Sequence, residues 1–177
     1  TQPLHIYAHG DLEKLLRPLL DYHCQDLPYE VEFHAINPRK KEVIFEDRTL
    51  TIETIPLKHK VPTCGFLFTE HHRDKEPRKR YAYCSDTAYR EQIVEQIAGV
   101  EVLFHEATYT EKDADKCKKH THSTAKQAAQ IAKLAGAGKL IIGHFSARED
   151  DHMVFLNEAK EVFENTVLAV EKEKIEL

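Results

Sequence analysis

The segment from Tyr81 to Ile142 most constrains what this chain can fold into. Short apolar runs at 81–84, 102–104 and 139–142 alternate with a helical stretch around Ile93, Val94 and Ile97, stopped by Gly99, and an alanine-rich helix over Ala125–Ala135. A strand–helix–strand rhythm of this kind builds right-handed β-α-β units on a parallel sheet. The last run, ending Leu140-Ile141-Ile142, has the unbroken apolar character of a strand buried on both faces. The three strands lead into Asp86, into His105-Glu106 and, past Gly143, into His144. Chain direction puts all three ends on one edge of the sheet, the carboxyl edge where open α/β sheets keep their ligands.

The flanking segments read in the same terms. Residues 4–8 form a strand, and Asp11 is expected to cap a helix with Leu12, Leu15, Leu16, Leu19 and Leu20 on one face. Pro18 should kink or shorten it. Strands follow at 31–33, 42–45, 49–55 and 65–68, and His59 is held between Pro56 and Pro62, where backbone angles are restricted. Ser123 or Thr124 caps the alanine-rich helix, and Gly136 and Gly138 close it. A helix over about 153–163 and a strand over 166–170 finish the chain. Residues 70–80 are its most polar piece. They suit a solvated surface loop or, with five basic residues at Arg73, Lys75, Arg78, Lys79 and Arg80, contact with an anionic polymer.

Bulk properties narrow the classes. The 177 residues suffice for one domain with a sizeable core. No apolar run approaches the ~18 residues that a membrane-spanning helix needs. The N-terminal Thr1-Gln2-Pro3-Leu4 carries neither a basic region nor an apolar signal core. Four cysteines without CxxC spacing argue for reduced thiols and a cytoplasmic location. A net charge of -5 excludes wholesale coating of nucleic acid, so any such contact rests on local patches. Twelve histidines direct the search toward metal chemistry.

His59, Asp86 and His144 are nitrogen and oxygen donors suited to Zn²⁺ or Mn²⁺. A carboxylate can bridge two cations where a single imidazole nitrogen cannot, which makes Asp86 the natural shared ligand. An Asp-Thr pair before a helix is equally a cap, and that alternative stands beside the first. Glu106 and His122 form a second constellation: a carboxylate that accepts from an imidazole orients the ring, and such a ring can protonate a leaving alkoxide. Ser146 and Arg148 complete an anion-binding set, the guanidinium matching phosphate through its planar fork of donors.

Five motifs in order carry a resemblance. They are Leu57-Lys58-His59-Lys60-Val61-Pro62-Thr63-Cys64-Gly65-Phe66, Ser85-Asp86-Thr87, His105-Glu106-Ala107-Thr108, His122-Ser123-Thr124 and Gly143-His144-Phe145-Ser146-Ala147-Arg148. From about Leu4 onward the chain resembles the ribonuclease Z family, the tRNA 3′-processing endonucleases of the metallo-β-lactamase superfamily. The resemblance implies an α/β fold, the αββα sandwich, and a homodimer acting on precursor tRNA with two zinc ions per complete site. It implies that His59 ligates one zinc, Asp86 bridges both and His144 ligates the second, while Glu106 and His122 protonate the leaving ribose oxygen. It further implies cleavage on the 3′ side of the discriminator base, leaving a 3′-hydroxyl on the tRNA.

The family pattern is incomplete here. Its His-x-His-x-Asp-His motif does not occur in the 177 residues, so the chain is expected to be the C-terminal part of one such domain. Residues 70–80 stand as a stub where bacterial members insert a tRNA-clamping arm. Ser85 replaces a usual glycine, and Glu149 a common aromatic residue. Two other readings remain: a truncated or degenerate fragment without activity of its own, and a phosphodiesterase of the same fold acting on small esters.

Overall fold

A computed structural model describes residues 2–71 and 79–175. Residues 72–78 of the polar segment, with Arg73, Lys75 and Arg78, lie outside the described residues, whereas Arg80 is described and donates to the Ala98 and Gln96 carbonyl oxygens. Two compact units divide the chain, Thr1–Pro38 and Arg39–Leu177.

In the first unit, β1 (Leu4–Ala8) and β2 (Val31–Ala35) pair in parallel, with α1 (Asp11–His23) between them in sequence. The helix differs from expectation in two ways. Its cap position is Gly10, which makes no side-chain cap bond, and Asp11 is instead an acid in the first turn. There a negative charge faces the positive end of the helix dipole. Pro18 does not interrupt the helix, which continues to His23. The leucine stripe is not buried: Leu15 is 69% and Leu19 56% exposed. The side-chain contacts of α1 run through Arg17, which sits 4.9 Å over the Phe33 ring and donates to Val31 O.

The second unit is a seven-stranded sheet whose spatial order follows the chain. Strands β3 (Val43–Glu46), β4 (Leu50–Pro56), β5 (Cys64–Glu70) and β6 (Arg80–Cys84) form an antiparallel meander. From β6 the sheet turns parallel through β7 (Val102–Glu106), β8 (Lys139–Gly143) and β9 (Thr166–Leu168). The crossovers carry α2 (Ala114–His120), α3 (Ala125–Ala135) and α4 (Met153–Lys160). The close approach of β5 to β6 is set by Gly65, where a Cβ would collide with the Tyr83 carbonyl oxygen.

One face of the sheet packs on α3. Ala125, Ala128, Ala129, Ala132 and Ala135 lie against Leu103, Leu140 and Ile142, and Phe155 and Ala159 of α4 join the same core. Alanine at the contact lets the helix approach the sheet closely. Thr124 and Gln127 close a reciprocal capping box at the start of α3, and Gly136, at φ 62, ends it in the left-handed conformation. The opposite face carries aromatic stacks, Phe68 on Tyr81 at 5.7 Å and Tyr83 on Phe104 at 4.7 Å.

The stretch between β6 and β7 corrects the sequence reading. No α-helix forms around Ile93, Val94 and Ile97; a 3-10 turn at Glu91–Ile93 and further turns occupy it. Ile93, Ile97 and Val100 are all buried, an apolar spacing that successive turns satisfy as well as a helix would. Asp86 therefore precedes no helix, and its reading as a helix cap falls. The charged segment from Glu111, not assigned an element from sequence, folds into a 3-10 turn and α2. Among the described residues no helix is long and apolar enough to cross a membrane.

Candidate metal and proton-transfer site

The carboxyl ends of β6, β7 and β8 meet in register: Cys84 lies opposite His105, and Glu106 opposite Gly143. Just past those ends the backbone adopts left-handed conformations at Asp86 (φ 56) and His144 (φ 60), with a third at Thr121 (φ 60). Such angles cost non-glycine residues on the order of 1–3 kcal/mol each and persist where surrounding contacts over-determine them. Here they turn the Asp86 and His144 side chains toward one another. His144 Nε2 lies 3.2 Å from Asp86 Oδ1.

Glu106 anchors the arrangement. It has no solvent exposure, and four donors converge on its carboxylate. Oε1 accepts from Thr87 N at 2.5 Å and His122 Nδ1 at 2.9 Å, and Oε2 accepts from Thr108 Oγ1 at 2.6 Å and Ser123 N at 3.1 Å. A buried carboxylate needs such partners. Ser123 Oγ donates to Thr87 O at 2.6 Å and joins the two loops that supply the amide donors. With both oxygens committed, Glu106 orients its neighbours and is not available as a ligand.

The hydrogen-bond directions fix the imidazoles. The Thr108 hydroxyl spends its single proton on Glu106, so toward His144 Nδ1, 2.9 Å away, it accepts. His144 thus carries its hydrogen on Nδ1 and turns the Nε2 lone pair toward Asp86. Two acceptors at that separation require a proton or a cation between them. His59 repeats the pattern. Its Nδ1 lies 3.0 Å from both Thr121 O and Thr121 Oγ1, and that hydroxyl donates to His120 O. A ligating histidine is ordinarily held in this way, its second nitrogen donating to an oxygen. His122, donating through Nδ1 to Glu106, keeps Nε2 facing outward.

The structure thus brings Asp86, Glu106, His122 and His144 together, with donor atoms within 4.8 Å of one another. His59 stands outside that group but beside it, its ring 4.9 Å from that of His122, which is itself 5.4 Å from that of His144. Ser146 and Arg148 lie in the loop after His144. The Ser146 hydroxyl accepts from Arg148 N at 3.4 Å, and Ser146 N donates to Thr108 O. Burial, followed by the charges of Lys60, Lys119, His122 and Arg148, pushes the His120 imidazole below its ordinary range. Asp86 and His144, the histidine oriented through its other nitrogen, offer an oxygen and a nitrogen donor of the kind a divalent cation of the zinc type takes, and His59 is held in the same way beside them.

The beta-lactamase superfamily domain model matches residues 1–145. A ribonuclease Z of Phocaeicola vulgatus is 40% identical over 220 aligned positions, covering all of this chain and 71% of the relative. One of Bacteroides fragilis is 41% identical, covering 97% of this chain and 70% of the relative. The chain belongs to the ribonuclease Z family. The fold agrees: human tRNase Z, short form, superposes with a TM-score of 0.74 at 23% identity, over 96% of this chain and 66% of that one. The metallo-β-lactamase fold therefore underlies the ribonuclease Z frame in which these side chains sit.

Within that frame, sequence reasoning missed Thr108 and Thr121 as working residues. Thr108 had a signal, since it lies two positions beyond Glu106 on a strand exit, where alternation returns the side chain to the same side. Thr121 had none: it meets His59 across 62 positions of sequence.

Proposed function

We propose that this chain carries the catalytic part of a metal-dependent endoribonuclease that processes the 3′ end of precursor tRNA, with zinc as the metal. The reading holds that the cut falls on the 3′ side of the discriminator base and leaves a tRNA 3′-hydroxyl. Homology to ribonuclease Z proteins supports the reaction class. The observation that carries the chemistry is the Glu106–His122 contact, 2.9 Å between a wholly buried carboxylate and a ring nitrogen.

In the proposed reaction water adds to the scissile phosphorus, the bond from phosphorus to the ribose O3′ breaks, that oxygen takes a proton from His122 Nε2, and the proton lost by the water passes to solvent, from which the ring is reprotonated. Glu106 holds the ring through Nδ1, and the amides of Thr87 and Ser123 hold Glu106. His59, Asp86 and His144 would hold divalent cation, which when bound supplies Lewis acidity toward the phosphodiester. Arg148, Lys60 and Lys119 would take flanking phosphates, and Ser146 would assist through its hydroxyl.

The reading extends to a homodimer in the cytoplasm and to residues 70–80 as the reduced counterpart of the clamping arm. Those parts rest on the family resemblance. The alignment to the Phocaeicola relative runs over 220 positions against 177 residues here, so that relative carries positions that this chain lacks.

Cleavage of a precursor tRNA by the protein, with and without chelator, tests the proposal. Chelator should abolish cleavage, and His122→Ala should slow it by about 10²–10⁴-fold, the range a positioned general acid supplies, while bound metal stays unchanged. Cleavage that survives chelation, or metal lost with His122, would refute the assignment. Equal rates on tRNA and on a small phosphodiester would transfer the site to the alternative substrate class.

A further inference from the structure

The first unit holds a second constellation, unconnected with the proposed nuclease chemistry. In the parallel pairing of β1 with β2, His5 stands opposite Glu32 and Tyr7 opposite His34. Alternation places these four side chains on one face of the two-stranded sheet and Ile6 and Phe33 on the other. Arg17 of α1 lies over Phe33, on the face opposite the histidines.

The donor atoms on that face converge. His5 Nδ1 lies 2.9 Å from His34 Nε2 and 3.2 Å from Glu32 Oε2, and His34 Nε2 lies 3.8 Å from the same oxygen. Two imidazole nitrogens and one carboxylate oxygen thus form a small triangle. In a tetrahedral zinc site with bonds of about 2.0–2.1 Å, neighbouring ligand atoms stand roughly 3.3–3.4 Å apart. The three edges straddle that value. Without a cation a hydrogen on His5 Nδ1 must be shared between His34 Nε2 and Glu32 Oε2, while a hydrogen on His34 Nε2 instead leaves the carboxylate facing the His5 lone pair. Tyr7 stacks on His34 at 4.5 Å with 16° between the planes and fixes the ring that supplies one donor.

We propose that His5, Glu32 and His34 form a second site for a divalent transition metal of the zinc class, a two-imidazole, one-carboxylate set with its fourth position open to water or another donor. The bound ion ties β1 to β2 at residues 27 and 29 positions apart in sequence. No thiolate takes part, and the imidazoles favour zinc, nickel or copper over magnesium or calcium.

Titration of the metal-free protein with Zn²⁺, and separately with Co²⁺ read by its visible absorption, tests the proposal, with stoichiometry from equilibrium dialysis. The wild-type protein should bind one equivalent more than the His5→Ala/His34→Ala variant, at micromolar free metal. The Asp86→Ala/His144→Ala variant should keep that equivalent, together with its tetrahedral cobalt bands. Imidazole ring resonances of His5 and His34 should shift as it fills. Glu32→Gln, a smaller change at a half-exposed position, provides the same comparison should the double variant fail to fold, and should weaken binding at least tenfold. Equal stoichiometry in the wild-type and variant proteins, or filling only at millimolar metal, would overturn the site.

Discussion

At the scale of single residues the site depends on directionality, because each group near Glu106 has one way to share its hydrogen. Two of the four donors to that carboxylate, the amides of Thr87 and Ser123, cannot reverse roles, and they lie on opposite oxygens. Glu106→Gln keeps the shape but must turn its amide nitrogen toward one of them. One buried N–H then faces another, at a cost of about 1–3 kcal/mol. Urea denaturation should show that loss of stability together with slower cleavage, whichever way the amide is oriented. Thr108 offers a finer test. Its hydroxyl links Glu106 to His144, and Thr108→Val removes the link without changing volume. Metal affinity at the Asp86–His144 site should fall by about 10–100-fold, the usual effect of removing an orienting partner, and Thr108→Ser should restore most of it. Competition with a chelating dye measures both variants; unchanged affinity in Thr108→Val would show that the hydroxyl does not set the His144 tautomer.

Secondary-structure elements show where sequence pattern carries information and where it stops. The strands were legible because apolar and β-branched runs have few other uses, and α3 because Thr124, the alanine face and Gly136 all agree. The stretch after Asp86 was not: burial of Ile93, Ile97 and Val100 satisfies helix and turn alike, and the left-handed angle at Asp86 occurs without a glycine to mark it. In α1 the amphipathic spacing gives the helix but not burial, for the unit exposes Leu15 and Leu19. The meeting of Asp86, Glu106 and His144 at the strand ends was legible; the hydroxyls that orient them were not, since their partners arrive from distant segments. Strand β7 adds a consequence of its own. His105 is wholly buried, donates through Nδ1 to Glu106 O at 2.8 Å, and has no protein partner for Nε2. Burial pushes its imidazole below the ordinary 6.5. The unfolded chain therefore takes up a proton near that pH while the folded one does not, so this stabilisation is complete above about 6.5 and is lost as the pH falls. The loss proceeds at up to about 1.4 kcal/mol per pH unit until the folded protein itself is protonated. Comparing unfolding free energies at pH 7.5 and 5.5 for the wild-type protein and His105→Leu isolates the contribution, and equal pH slopes in the two would show that the ring titrates normally.

For the whole molecule, overall charge and local charge point in opposite directions. A net charge of -5 repels a polyanion at long range, while His120, lowered first by burial, also feels the positive charges of Lys60, Lys119 and Arg148. On the proposed reading an RNA substrate would be drawn by these local cations and not by the molecule as a whole. Each phosphate neutralised by such a cation releases bound counterions, so affinity should fall linearly with salt on logarithmic axes, with a slope of about 0.7–0.9 per contact. Removing two of these cations, in Lys60→Ala/Lys119→Ala, should flatten that slope by roughly 1–2. The single-turnover cleavage rate at saturating RNA should change little, because neither lysine takes part in the hydrogen-bond network around Glu106. Filter binding of a precursor tRNA across a potassium chloride series measures the slope. A variant that keeps the wild-type slope would mean that the RNA backbone follows another track across the protein.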